Sequence, residues 1–272
     1  MSPHKASICL ANRTIAFVGD SQIRDLCIGL VHYLLGNFDV ESAPDHKFGR
    51  HHNMLAIGDR IANFEFWKRN VPPPHYNGYL FPRRDKHQDI QWQIQLWNLY
   101  TSKFWEGGQI EDILSNHMAT TNRGIRPVDI AFINCGLHDQ TMFLVGNAGI
   151  NYYNNILRKF WINFKDEVTV PTVWTSMNPE CLEKLSISAS QEKSEKHFKI
   201  VEIVNAYVND RLLREKSPYF DYGAVLRAPH RCEHSADGLH MKIYSNIVAA
   251  ILLLNYICDS QGKWRGDANI FS

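Results

Sequence analysis

Thr14-Ile15-Ala16-Phe17-Val18-Gly19-Asp20-Ser21-Gln22-Ile23-Arg24 is the stretch on which the reading of this chain turns. A short apolar run breaks at Gly19 and passes through Asp20 and Ser21 into a helical repeat carried by Ile23, Leu26, Cys27, Leu30, Val31 and Leu34. A strand that runs straight into a helix leaves the unpaired N–H groups and the positive end of the helix dipole at the turn. A serine placed there suits a nucleophile whose transition state carries an oxyanion. Near the other end, Asp237-Gly238-Leu239-His240 sets a carboxylate and an imidazole three positions apart. That is the pair needed to orient and supply a general base. Together the two stretches read as a split triad of Ser21, His240 and Asp237.

Between them the pattern alternates strand and helix. A helix is expected over 22–35, and strands over 61–67 and 90–97, the latter with Ile90, Trp92, Ile94 and Leu96 on one face. A helix over 109–118, a strand over 128–134, a helix over 149–164 and a strand over 172–176 follow. A long helical pattern covers 190–215, a last strand 219–226 and a closing helix 241–258. Val71-Pro72-Pro73-Pro74-His75 and Phe81-Pro82-Arg83-Arg84-Asp85 mark a Pro-rich surface insertion around 68–88. The alternation predicts one α/β domain over 1–272: a three-layer α/β/α sandwich, flavodoxin-like, about a mostly parallel sheet. Ligands of such sheets bind outside the carboxyl ends of the strands. Ser21, the segment 134–139 and the segment 237–240 all fall there.

Composition sets the outer limits. With 272 residues, 44% apolar and 21% charged, the chain can fill one sizeable core. A formal net charge of +1 argues against a nucleic-acid partner or a polybasic membrane anchor. The longest apolar run, 247–254, is too short for a membrane span, and 1–10 holds no signal-peptide core. The chain is therefore expected to be cytosolic or a trimmed soluble domain. Six widely spaced cysteines without a Cys-x-x-Cys pair are weak evidence for disulfides. Cys27 and Cys135 read as core thiols. His230, Cys232 and His234 could join His240 around zinc, but alternate residues of an extended segment face opposite ways, and no metal is expected.

Three blocks carry a resemblance. Gly19-Asp20-Ser21-Gln22-Ile23-Arg24, Asn134-Cys135-Gly136-Leu137-His138-Asp139 and Asp237-Gly238-Leu239-His240 resemble the motifs of the SGNH (GDSL-like) hydrolase superfamily. The closest likeness is to its PC-esterase-type branch, which holds plant polysaccharide O-acetyltransferases and the soluble domain of sialic-acid O-acetyltransferase. The resemblance implies Ser21 as nucleophile, His240 as base and Asp237 as the carboxylate that orients it. It implies an oxyanion held by the Ser21 N–H together with Asn134 or Gly136. Many members have Gly-x-Asn-Asp where this chain reads Gly136-Leu137-His138-Asp139, so His138 is an alternative in the Asn position. Asp20, Arg24 and His138 are the candidate substrate contacts; Asp20 is alternatively a helix cap and Arg24 alternatively half of an ion pair.

The function so implied is a serine esterase or O-acyltransferase acting on acetyl esters of glycans. Its partners would be a carbohydrate or a small acyl ester, with no bound cofactor, and with acetyl-CoA or a membrane protein as donor in the transfer case. The branch also implies a secretory-pathway lumen, such as the Golgi, or secretion. The alternative is a non-catalytic glycan-binding module on the same fold.

Overall fold

A computed structural model describes residues 1–36, 65–68, 77–84, 91–98, 126–134, 170–178, 181–185, 218–223, 231–259 and 261–265, with six positions between 201 and 214. Helix α1 (Pro3–Cys9) starts on a Ser2 cap with proline in its first turn, and leads to β1 (Thr14–Gly19) and α2 (Ser21–Leu34). Then come β2 (Glu65–Lys68), β3 (Asn77–Arg84), β4 (Gln91–Asn98), β5 (Ile130–Asn134) and β6 (Thr172–Thr175). Short α3 (Leu182–Leu185), β7 (Tyr219–Phe220), short α4 (Arg231–His234) and α5 (Ile243–Ile257) complete the described chain.

One seven-stranded sheet runs in the order β2-β3-β4-β1-β5-β6-β7. The five strands from β4 to β7 are parallel, so the α/β expectation holds, while β3 runs antiparallel to both β2 and β4. β1, β5 and β6 are buried at every position, as strands covered on both faces are. On one face Ile15, Phe17, Ile94, Leu96, Ile130, Phe132 and Val173 join the core built by α1, α2 and α5. Phe17 and Phe132 stack there with centroids 5.6 Å apart.

The stretch expected to be a Pro-rich loop holds β3. Pro82 sits in that strand opposite Gln93, whose N–H bonds to Arg13 on the β1 side. Gln93 therefore turns both backbone groups away from Pro82, and Pro82's missing donor faces the far edge. The described pairing of β3 with β2 runs from Asn77 to Leu80. Alternation in β4 also misleads, since Gln93 and Gln95 are buried rather than solvated. They bond to each other at 3.0 Å, and Trp97 Nε1 donates to Gln95 Oε1 at 3.2 Å.

The strand expected to continue to 226 ends at Phe220, and Tyr222 and Gly223 form a helical turn. The six described positions between 201 and 214 are helical, as expected for 190–215. The helices expected over 109–118 and 149–164 lie outside the described residues. Among the described residues no helix is long and apolar enough to cross a membrane.

The end of β1 is the tightest point of the sheet. Gly19 has φ +154°, and a Cβ there would lie 1.9 Å from the Asn134 carbonyl oxygen. That oxygen belongs to the backbone of β5 and cannot swing aside. Gly19→Ala is expected to destabilise the protein by roughly 3 kcal/mol or more, since overpacking and backbone strain add. Urea unfolding reads this directly, and an unmoved midpoint would refute the contact.

Candidate active site

Ser21 is the first residue of α2, and its position follows from its two neighbours. Gly19 lets β1 end against β5, and Asp20 caps the helix by accepting the Gln22 N–H at 2.9 Å. Asp20 is fully buried in this role, the helix cap of its alternative reading. Ser21 is fully buried too. Its N–H, at the first helical position, has no carbonyl in the preceding turn to bond.

The second part of the site is a loop that bonds chiefly to itself. Ser235 and Met241 form an antiparallel bridge, the Ala236 N–H donates to the His240 carbonyl at 2.8 Å, and the Gly238 N–H donates to Ser235 Oγ at 2.8 Å. Asp237 Oδ1 accepts the N–H groups of Leu239 at 3.0 Å and His240 at 2.8 Å, which closes the turn around Gly238, at φ +97°. The same carboxylate reaches His240 Nδ1 with Oδ2 at 2.8 Å. Burial works to raise the Asp237 pKa. The hydrogen bond and charge of His240, with the two backbone N–H groups, outweigh it and hold the carboxyl well below the usual carboxylate range.

The two parts meet. His240 Nε2 lies 2.8 Å from Ser21 Oγ across 219 residues of sequence. A carboxylate on Nδ1 fixes the proton on that nitrogen, so Nε2 is the acceptor for the serine hydroxyl. Ser21, His240 and Asp237 are thus brought into one hydrogen-bonded line, in the order expected from the sequence. The chain matches no known family model, and no curated protein is detectably similar to it. Its chemistry has to be argued from these contacts.

The other candidates fare differently. Asn134 pairs with Gly19 at the ends of β5 and β1, and its Nδ2 donates to the carbonyls of Thr175 at 2.9 Å and Ser176 at 3.2 Å. Reversing the amide would set oxygen against two carbonyl oxygens, so the donors point to β6 and Asn134 serves as a brace in this arrangement. Arg24 turns inward, 4% exposed, and pairs with Asp25 Oδ1 through Nε at 3.3 Å and a terminal nitrogen at 3.1 Å. That is the ion pair, not the substrate contact. Gly136 and His138 lie outside the described residues, as does Cys135.

The cysteines hold what the sequence did not foretell. Cys9 pairs with Cys258, tying α1 to the end of α5, and Cys181 pairs with Cys232, beside the Asp237 loop. The second bridge removes Cys232 from any zinc set. Its segment is also the helical turn α4 rather than an extended strand, and His234 Nδ1 meets Ser245 Oγ at 3.3 Å. Cys27 is free and buried, and burial pushes its thiol pKa well up, so it stays protonated and inert.

Sequence reasoning also missed Gln22, a fully buried amide in the first turn of an apolar helix. Its only signal was a polar residue where the helix faces a core. Nε2 donates to the Leu239 carbonyl at 3.2 Å, and Oε1 accepts the Asn178 N–H at 2.9 Å.

The Asp237 carboxylate has a signature in pH. A depressed carboxyl stabilises the fold above its unfolded pKa near 4, and that contribution disappears as pH falls through the lower folded value. Asp237→Asn is therefore expected to be less stable than the parent at neutral pH, by a margin that narrows below about pH 4. Urea midpoints of both proteins from pH 7 to pH 2.5 measure the margin. A margin independent of pH would show that the charge contributes nothing.

Proposed function

We propose that this chain is a serine esterase or O-acyltransferase of the SGNH type, with a three-layer α/β/α sandwich as its fold. The observation that carries the reading is the line Ser21 Oγ–His240 Nε2–Nδ1–Asp237 Oδ2, with 2.8 Å at each step. A buried serine with its hydroxyl on a correctly oriented imidazole is the arrangement that nucleophilic acyl transfer needs.

In this reading His240 Nε2 takes the Ser21 proton as Oγ attacks an ester carbonyl. The imidazolium is stabilised by Asp237, and the oxyanion is met by the Ser21 N–H at the positive end of α2. As the tetrahedral species collapses, the leaving alcohol takes the proton from His240 and an acyl-Ser21 ester remains. Water or a sugar hydroxyl then gives its proton to His240 as its oxygen attacks the acyl carbon, and on collapse Ser21 Oγ leaves and takes that proton back from His240. The second oxyanion donor comes from the Asn134–Gly136 region. Asn134 can serve only by releasing its bonds to the Thr175 and Ser176 carbonyls, and Gly136 is the other candidate.

The motif resemblance suggests acetyl as the acyl group and a glycan as donor or acceptor, with acetyl-CoA as one donor for transfer. No metal or bound cofactor is called for by a Ser-His-Asp mechanism. The two disulfides favour an oxidising compartment, in line with a secretory-pathway lumen or the cell exterior.

Mass spectrometry after brief exposure to p-nitrophenyl acetate tests the reading. Wild type is expected to carry a transient acetyl group, and Ser21→Ala none. His240→Ala should lose turnover nearly as far as Ser21→Ala, because triad members act as a unit. Absence of adduct and turnover in wild type, with glycan binding that survives Ser21→Ala, would favour the non-catalytic module.

A further inference from the structure

Gln22 links the nucleophile's helix to two other segments of the site. Its backbone N–H is bonded by Asp20, which caps the nucleophile's helix. Its side chain reaches two other segments at once. The Leu239 carbonyl, on the residue just before His240, accepts from Nε2, and the Asn178 N–H, just past β6, donates to Oε1. The amide orientation is forced, because a carbonyl needs a donor and an N–H needs an acceptor.

These contacts close a ring. The Leu239 N–H is bonded to Asp237, and the neighbouring Gly238 carbonyl accepts the Cys181 N–H at 2.8 Å. Cys181 is bonded to Cys232, and Lys184 Nζ donates to the Ser235 carbonyl, so the chain after β6 clasps the Asp237 loop on its far side. From Cys181 the chain runs back three residues to Asn178 and so to Gln22. Gln22 is the member of that ring that belongs to the nucleophile's helix. Its bond to Leu239 stands beside the Ser21–His240 bond as a second side-chain link from α2 to the base's loop.

We propose that Gln22 is a positioning residue that sets the distance between Ser21 Oγ and His240 Nε2. The proposal rests on the acyl-transfer reading above. His240 acts as base in acylation and again in deacylation, so a displaced imidazole slows both steps. A misplacement of about 1 Å at a reacting centre costs on the order of 100-fold. Binding of a small ester, which Gln22 does not touch, should be spared.

The test counts active sites separately from their rate. Wild type, Gln22→Met and Gln22→Leu are labelled with an alkyl fluorophosphonate until the labelled fraction is constant, and p-nitrophenyl acetate turnover is divided by that fraction. Turnover per labelled site is expected to fall roughly 10- to 100-fold in both variants, with KM within about twofold of wild type. A merely structural role would lower the labelled fraction or the melting temperature and leave turnover per site intact. That result, in whichever variant folds, would overturn the proposal. If wild type itself neither labels nor turns over, the acyl-transfer reading has failed and Gln22's role goes with it.

Discussion

The contact between Gly19 and the Asn134 carbonyl governs the centre of this molecule. With no Cβ at position 19, β1 pairs with β5 to its last residue and then turns at once into α2. Asp20 has one place to go, as the cap, and Ser21 becomes the first helical residue. Ser21 is thus located by backbone packing two residues upstream, and its own side chain is left to meet His240. A strand end buried on both faces also holds that position rigid, which a surface loop would not.

The partner of Ser21 is placed by different means. Segment 235–241 belongs to no long element, yet Asp237 and Ser235 bond its backbone inward. A loop so folded moves as one body. What remains is to dock that body on α2. α5 leaves the loop and packs along α2, Cys9–Cys258 pins the far end of α5 to α1, and Cys181–Cys232 holds the near side. The first bridge lies away from the site, whereas the second brings Cys181 to the loop itself, where its N–H donates to the Gly238 carbonyl. Their separations of 249 and 51 residues are long loops to close, where a cross-link restricts the unfolded chain most.

What was legible in the sequence was local. The apolar run of β1, the 3.6-residue repeat of α2 and the Asp-x-x-His turn each carry their signal within a dozen residues. What failed depended on neighbours. Pro82 reads as a breaker because a single strand gives no hint that the partner residue Gln93 turns its own backbone groups the other way. Gln93 and Gln95 read as a solvent face because their mutual bond exists only once β4 is covered. Arg24 reads as either a substrate contact or half of an ion pair, and only the burial of every residue of α2 except His32 turns it to Asp25. The cysteine pairing and the reach of Gln22 are tertiary facts with no local trace.

The buried polar atoms at the ends of β5 and β6 complete the account of why the site sits where it does. Among the described residues Asn134 Oδ1, Thr175 Oγ1 and both side-chain atoms of Asn178 are buried without a hydrogen-bond partner. An unsatisfied buried group costs about 1–3 kcal/mol, so folds keep few of them. Here they gather at the carboxyl edge of the parallel strands, and Asn178 is tied by its backbone to the residue after the nucleophile. Elsewhere in the sheet Gln93 and Gln95 satisfy each other, while Thr14 Oγ1 and Trp92 Nε1 are also buried without a partner. What sets the group at the carboxyl edge apart is its place: Asn134, Thr175 and Asn178 lie at or just past the ends of β5 and β6 beside the Ser-His-Asp line, where buried polar groups can bond water or an oxygen-rich ligand instead of one another.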